Sequence, residues 1–464
     1  MGVAAAFALT FAGGSVWLDE AFSVQVAESP WERFWELLRN DNGPPLYYAL
    51  LRGWIALFGD GERALRLLSA VVGVAAVVPA IALGREVGGS RASGLASGLL
   101  FACSAQLALH ARAARMYALV MLLAAVTTWL WARWLRTASR TPLLAFALAT
   151  ALGAYTHYWF SFLTLAQCAA AAVALRRRSL PLLAAATVGW LPFLAWAPIF
   201  AAQLQNGSRA WIPPLHPWAP LEAIADVLDL PATIALAALI AVLAWRQRPR
   251  LDTPLRAAGV LLATALLVPF ALSLRHPIFF PIRHAAIAVP TITALLGALL
   301  ARLLQPRPLA AILAAVAVLR AATHAAEGRA AVAREADSDR GAAAYLASHA
   351  TPGSDIVICV GLSGPALGYY LRSPELDLVA FPKEMTRHPA WIDPAAFPPS
   401  TLDAEAAALD QWLRDRPVWL VSVEGDPVAA PLRARLSTRP RDPSAAASLS
   451  GNFYDHLERY LPRR

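Results

Sequence analysis

Long apolar stretches separated by short polar connections set the organisation of this chain. About 20 apolar residues suffice to cross a bilayer, and that rule predicts a short first span from Met1 to about Ser15. Further spans follow near residues 67–84, 92–109, 116–132, 142–156, 158–175, 180–202, 230–245, 257–274, 285–301 and 309–323, about eleven in all. The first span has no basic flank, so the true start is expected upstream of Met1. A cleaved signal peptide is the rival reading, although neither a basic leading region nor a clear cleavage site is present. From about Ala325 polar residues rise. Residues 355–360 and 417–423 read as strands, and residues 340–349 and 402–414 as helices. The pattern therefore predicts an all-α polytopic bundle over residues 1–324 and a small α/β domain over residues 325–464.

Composition supports a membrane protein. Of 464 residues, 58% are hydrophobic and only 15% charged, too apolar and too weakly charged for an ordinary soluble chain. The formal net charge is +9, almost all of it from arginine. In such a chain basic residues mark cytoplasmic loops and anionic head groups, not nucleic acid. With the N-terminus inside, every inward connection is basic: Arg85 and Arg91; Arg133, Arg136 and Arg140; Arg176 to Arg178; Arg246, Arg248 and Arg250; Arg302 and Arg307. The opposite orientation would strand these clusters outside. An odd number of spans then puts the C-terminal domain on the outer face. The three cysteines, Cys103, Cys168 and Cys359, have neither zinc-type spacing nor a disulfide pattern.

Chemistry concentrates in the outward connections. The first, residues 16–66, carries the acid pair Asp19-Glu20, an amphipathic segment from Trp31 to Leu38, and the turn Gly43-Pro44-Pro45 before Leu46-Tyr47-Tyr48. Charge at a bilayer boundary is costly unless it has a task or a partner, and two adjacent carboxylates suit proton acceptance or cation binding. Later outward connections hold His110, Arg112, Arg115 and Tyr117; His157-Tyr158; Arg209, Trp211 and His216; and Arg275 to His284.

In this order the motifs resemble the GT-C superfamily of integral-membrane glycosyltransferases, and within it the bacterial branch related to protein O-mannosyltransferases and the aminoarabinose transferase of lipid A. The matching pieces are Leu18-Asp19-Glu20-Ala21, Pro44-Pro45-Leu46-Tyr47-Tyr48 and Ala114-Arg115-Met116-Tyr117-Ala118-Leu119, with weaker matches at Tyr155-Thr156-His157-Tyr158 and Pro281-Ile282-Arg283-His284. Two departures stand out. The family often has His where Gly43 stands, and Arg-Tyr where Arg283-His284 stands. The resemblance implies inverting sugar transfer from a polyprenyl-phosphate carrier to a lipid, glycan or protein acceptor. It would occur at the outer face of the bacterial cytoplasmic membrane, with membrane lipids around the protein. It implies Asp19 as base and Glu20 beside it to orient it or bind a substrate. Arg115, Arg283 and Arg209 would be phosphate contacts. Tyr47, Tyr117, His157 and His284 would bind substrate, with His157 taking sugar, phosphate or a metal. The resemblance fixes no cofactor, and a divalent metal stays open because metal dependence varies across the superfamily.

Each residue also has a plainer reading. Asp19-Glu20 can be a helix N-terminal pair, Arg112 and Arg115 snorkelling anchors, His157 a hydrogen-bonded interfacial histidine, and Arg283-His284 a head-group contact. Tyr47, Tyr48, Tyr158, Trp159 and Trp211 fit an aromatic belt. Two other function classes remain. A lipid-linked sugar transporter or flippase predicts charges near the midplane and repeated halves, and a polysaccharide ligase predicts a long outer loop late in the chain.

Overall fold

The computed structural model describes residues 14–205, 212–333, 339–372, 376–386, 397–414, 416–423, 425–443 and 456–463. The expected span from Met1 to Ser15 falls almost wholly outside these residues, as do Arg209 and Trp211. The chain divides into two compact units. Among the described residues, one comprises Gly43–Ala201 and residues 212–328; the other comprises residues 14–42, 202–205 and those from 329 onward.

The first unit is helical. Six described helices are long and apolar enough to cross a membrane: Glu62–Gly88, Tyr117–Thr137, the run Phe160–Ala195, Leu230–Gln247, Thr253–Ser273 and Pro306–Glu327. A seventh is the pair Arg91–Ala102 and Ala105–Ala111, if this pair, bent by 53°, counts as one span. The expected number of about eleven is not reached by this measure, for identifiable reasons. The expected spans near 142–156 and 285–301 are realised as shorter apolar helices, Thr141–Ala154 and Val289–Leu303. Those near 158–175 and 180–202 form one helical run, interrupted by a 3₁₀ turn at Arg176–Ser179 whose first residue has φ 53°. A further apolar helix, Leu46–Phe58, lies inside what the sequence pattern assigns to a connection. Its start follows from Pro44-Pro45, since proline tolerates the entry to a helix but not its interior.

Small residues bring the helices Glu62–Gly88, Arg91–Ala102 and Val289–Leu303 together. A Cβ on Gly84 or Gly297 would collide with Ser97, so these glycines permit the close approach that membrane helices use in place of a hydrophobic drive. Buried polar bonds add direction. Gln167 Nε2 donates to Thr127 Oγ1 at 3.2 Å and Thr128 Oγ1 at 3.1 Å, and Trp131 Nε1 donates to the Gln167 carbonyl at 2.9 Å.

In the second unit a four-stranded sheet is built from β1 (Ile356–Val360), β2 (Asp377–Phe381), β3 (Val418–Ser422) and β4 (His456–Tyr460), in the order β2-β1-β3-β4. The β1 strand pairs in parallel with β2 and β3, and β4 runs antiparallel to β3. Every residue of β1 and β3 is buried, the signature of central strands covered on both faces. Alternation sends Val357, Cys359, Trp419 and Val421 into one core with Ala342, Leu346 and Leu367. Ile356, Ile358, Val418 and Leu420 enter the other, with Leu402, Ala406 and Leu432. Burial pushes the Cys359 thiol up to about 12, so this cysteine is an inert core residue.

Residues 14–42 belong to the same unit although more than 300 positions separate them from the sheet. The helix Leu18–Glu28 packs on the helix Gly364–Tyr370. Val16 N–H donates to Tyr370 Oη at 2.6 Å, the Arg340 amide donates to Ser15 Oγ at 3.3 Å, and Arg372 pairs with Glu28 at 3.2 Å. The amphipathic segment forms the helix Trp31–Asn40, with Phe34, Leu37 and Leu38 buried, and the Leu38 carbonyl accepts from Gln203 Nε2 at 2.6 Å.

Candidate functional site

Candidate chemistry is carried by both units, and each group is built locally. In the second unit Asp19 and Glu20 occupy the first turn of the helix Leu18–Glu28, where carboxylates complement the helix dipole. The turn begins because Trp17 is extended, with φ −101° and ψ 173°. Glu20 is buried, and its Oε2 accepts from the Trp17 amide at 3.4 Å. Asp19 is half-buried, and its carbonyl accepts from Ser23 Oγ at 2.8 Å. The two neighbours are thus unequal: Glu20 serves the helix start, whereas the Asp19 side chain is not part of that cap.

In the first unit six of the expected residues fall into one connected group. Tyr47 Oη lies 3.3 Å from Ser69 Oγ, which donates to the Arg115 carbonyl at 3.3 Å. An Arg115 guanidinium nitrogen reaches Tyr48 Oη at 3.5 Å. Two residues on, Tyr117 opens the helix Tyr117–Thr137. Its ring lies 4.7 Å from His110 and 5.7 Å from His157, centroid to centroid. His157 in turn lies 5.9 Å from His284, edge to face. Trp159 stacks on His284 at 4.1 Å. Arg283 adjoins His284 and sits 5.8 Å from the Phe280 ring.

Local chain geometry aims these rings. Thr156, His157 and Phe160 form a turn after the helix Thr141–Ala154, and the His157 Nδ1 accepts the Trp159 amide at 3.2 Å. The short helix Pro281–His284 begins at a proline, and His284 Nδ1 accepts the Phe280 amide at 2.8 Å. Burial, then the neighbouring His157 and Arg283, hold the His284 imidazole well below its usual range, so it is neutral at physiological pH. Among the described residues no group of three or more His, Cys, Asp or Glu side chains is placed to hold a metal ion.

Tyr47, Tyr48 and Trp159 are buried, unlike side chains of an exposed belt. Neighbouring polar residues form a second cluster. Arg320, 2% exposed, donates through Nε to the Cys103 carbonyl at 3.2 Å and lies 3.7 Å from both Asp229 and Glu327. Glu327 also reaches Arg112 at 3.6 Å and His324 at 3.8 Å. Cys103 closes the helix Arg91–Ala102 at the bend, so Arg320 satisfies a carbonyl that the break leaves over. The sequence signal for Arg320 was present: a lone charge within an expected span marks a partnered or functional site.

Residues 42–199 match the family described as dolichyl-phosphate-mannose-protein mannosyltransferase. The fold is similar to that of ArnT from Cupriavidus metallidurans. Against the apo crystal structure the TM-score is 0.64 at 16% identity, covering 99% of this chain and 96% of that one. Against ArnT bound to undecaprenyl phosphate it is 0.66 at 14% identity, with the same coverage. No curated protein sequence matches. The family match is confined to residues 42–199, and the structural similarity shows the fold. The chain is a multi-pass membrane protein with an ArnT-like fold. The family match spans Tyr47, Arg115, Tyr117 and His157, and excludes Asp19, Arg283 and His284.

Proposed function

We propose that this chain is a GT-C glycosyltransferase that moves a sugar from a polyprenyl-phosphate carrier to a hydroxyl acceptor at the outer face of the bacterial cytoplasmic membrane. What carries the reading is the gathering of Arg115, Tyr117, His157, Arg283 and His284 in one unit, within a chain whose ArnT-like fold spans nearly its whole length. Aromatic rings, imidazoles and guanidinium groups together suit a ligand with a sugar ring and a phosphate.

In this reading the acceptor oxygen forms a bond to the anomeric carbon from the face opposite the carrier. The bond from that carbon to the phosphate oxygen breaks, and its electron pair leaves on the phosphate. Asp19 takes the acceptor's proton as the new bond forms, and inversion follows from the direct displacement. Glu20 orients the acid-bearing turn. Arg115 and Arg283, with Arg209, balance the charge that grows on the departing phosphate. Tyr47, Tyr117 and His157 line the sugar. The residues leave a divalent metal unassigned, and the chemistry as written needs none. The basic inward connections support the orientation that faces this chemistry outward.

The test is comparative mass spectrometry of envelope glycans and lipid-linked sugars in cells with and without the protein, followed by transfer assays on the purified protein with the accumulated carrier. Accumulation of a polyprenyl-phosphate sugar without the protein, and its consumption with it, is the expected result. An unchanged lipid-linked pool would sink the reading. A flippase would alter sidedness of the carrier without consuming it.

A further inference from the structure

The histidine pair carries an inference that rests on the proposed carrier substrate and deepens it. An imidazole nitrogen that accepts a hydrogen bond bears no proton. Both His157 Nδ1 and His284 Nδ1 accept backbone amides, from Trp159 and Phe280. Each ring is therefore the uncharged tautomer with its single proton on Nε2. For His284 three further observations agree. The ring is almost fully buried, the Trp159 indole lies flat against it with planes 14° apart, and the neighbouring charged or titratable groups are His157 and Arg283, which both oppose a further positive charge. Protonating Nδ1 would also leave the half-buried Phe280 amide without its acceptor, a loss that proteins avoid.

We infer that His284 binds the carrier phosphate as a fixed, uncharged Nε2–H donor, held in that form by the Phe280 amide and aimed by the Trp159 ring. The division of labour with its neighbour is then clear. Arg283 supplies charge, which attracts any anion. His284 supplies a directional bond to one phosphate oxygen without adding charge. A neutral donor of this kind neither gives up its proton during the transfer nor ligates a metal, because its remaining nitrogen already carries a proton. His284 is thus a recognition residue, and the proton transfers of the reaction pass elsewhere.

The experiment uses undecaprenyl phosphate as the probe, titrated into the full-length protein in lipid nanodiscs. His284→Asn keeps an oxygen where Nδ1 stood and so still accepts the Phe280 amide, but places nothing at Nε2. His284→Gln places an amide N–H where Nε2 stood and gives up the Phe280 bond. Weakening of binding by roughly tenfold or more in His284→Asn, with most of it restored in His284→Gln, is expected for a lost bond to a charged acceptor. Equal affinity for wild type and His284→Asn overturns the inference, and so does equal weakening in both variants, which would make the ring's packing the cause. Wild type that fails to bind undecaprenyl phosphate at all overturns the carrier reading instead. Nitrogen-15 NMR of histidine-labelled wild type checks the tautomer independently of any variant: an unprotonated Nδ1 at about pH 6 is expected, and an imidazolium signal there overturns it.

Discussion

Trp159 lies flat on His284, ring centroids 4.1 Å apart and planes 14° from parallel. The stack joins the turn after the helix Thr141–Ala154 to the short helix Pro281–His284, two segments more than 100 residues apart in the chain. Trp159→Leu keeps bulk but removes the flat surface. The expected outcome is a weaker hold on undecaprenyl phosphate with turnover at saturation little changed, because the loss falls on positioning of a binding group. A thermal unfolding measurement should show a smaller effect than Trp159→Ala, for which a buried Trp deletion costs about 3–5 kcal/mol.

The depressed pKa of His284 makes a prediction about acid. Its folded-state value lies below the unfolded value of 6.5, so the unfolded chain binds the extra proton first. Stability from this group is fully present above about pH 6.5 and is lost as the pH falls from there toward the folded value. Unfolding midpoints measured across this range in wild type and His284→Asn should converge toward low pH. A wild-type advantage that grew on acidification would contradict the neutral assignment.

Arg320 should be the most sensitive charge of the first unit. It is 2% exposed, bonded to the Cys103 carbonyl and set between Asp229 and Glu327. Arg320→Met leaves Asp229, whose φ is 114°, facing an apolar chain. The buried Cys103 carbonyl also loses its donor, a cost of about 1–3 kcal/mol, read as a lower unfolding midpoint in detergent. Arg320→Lys should recover part of the stability but not the bond from Nε, because lysine has no donor at that point of its stem.

The acid pair separates by role. Asp19→Asn should abolish sugar transfer while leaving undecaprenyl phosphate binding intact, since it removes the base and no carrier contact. Glu20→Gln retains an oxygen for the Trp17 amide and should preserve the fold. Glu20→Ala removes that acceptor and should destabilise the turn by about 1 kcal/mol. If Asp19→Asn transfers sugar at the wild-type rate, Asp19 is not the base.

Tyr370→Phe tests the anchoring of the same segment. Its hydroxyl accepts the Val16 amide at 2.6 Å, and a buried amide left unsatisfied costs about 1–3 kcal/mol. Hydrogen exchange should speed up across residues 15–20, while β1 and β3 keep their protection.

How far the chain could be read in advance differed by physical cause. Apolar runs located the helices well, because partition into lipid depends on composition alone. The same runs misjudged where helices stop. Residues 92–109 read as one stretch, yet the chain bends by 53° near Cys103, where Arg320 stabilises the break from far away in sequence. The helix Leu46–Phe58 was hidden because a double proline looks like a turn whether or not a helix follows. In the candidate site, motif order pointed to Tyr117, His157 and His284 as substrate-binding residues, and they do lie together. The sequence alone puts Trp159 in an aromatic belt, since an aromatic at a span's edge looks alike facing lipid or stacked on a partner. The tautomers were illegible, because they depend on two backbone amides whose directions only the fold determines.

The helix that bears Asp19 rests on the helix Gly364–Tyr370, so its seat is made near the end of synthesis although the acids themselves emerge among the first residues. A ribosome that releases its product before Tyr370 leaves the acidic turn without support. The layout therefore ties the turn that carries the proposed base to a helix that only a chain extending past Tyr370 supplies.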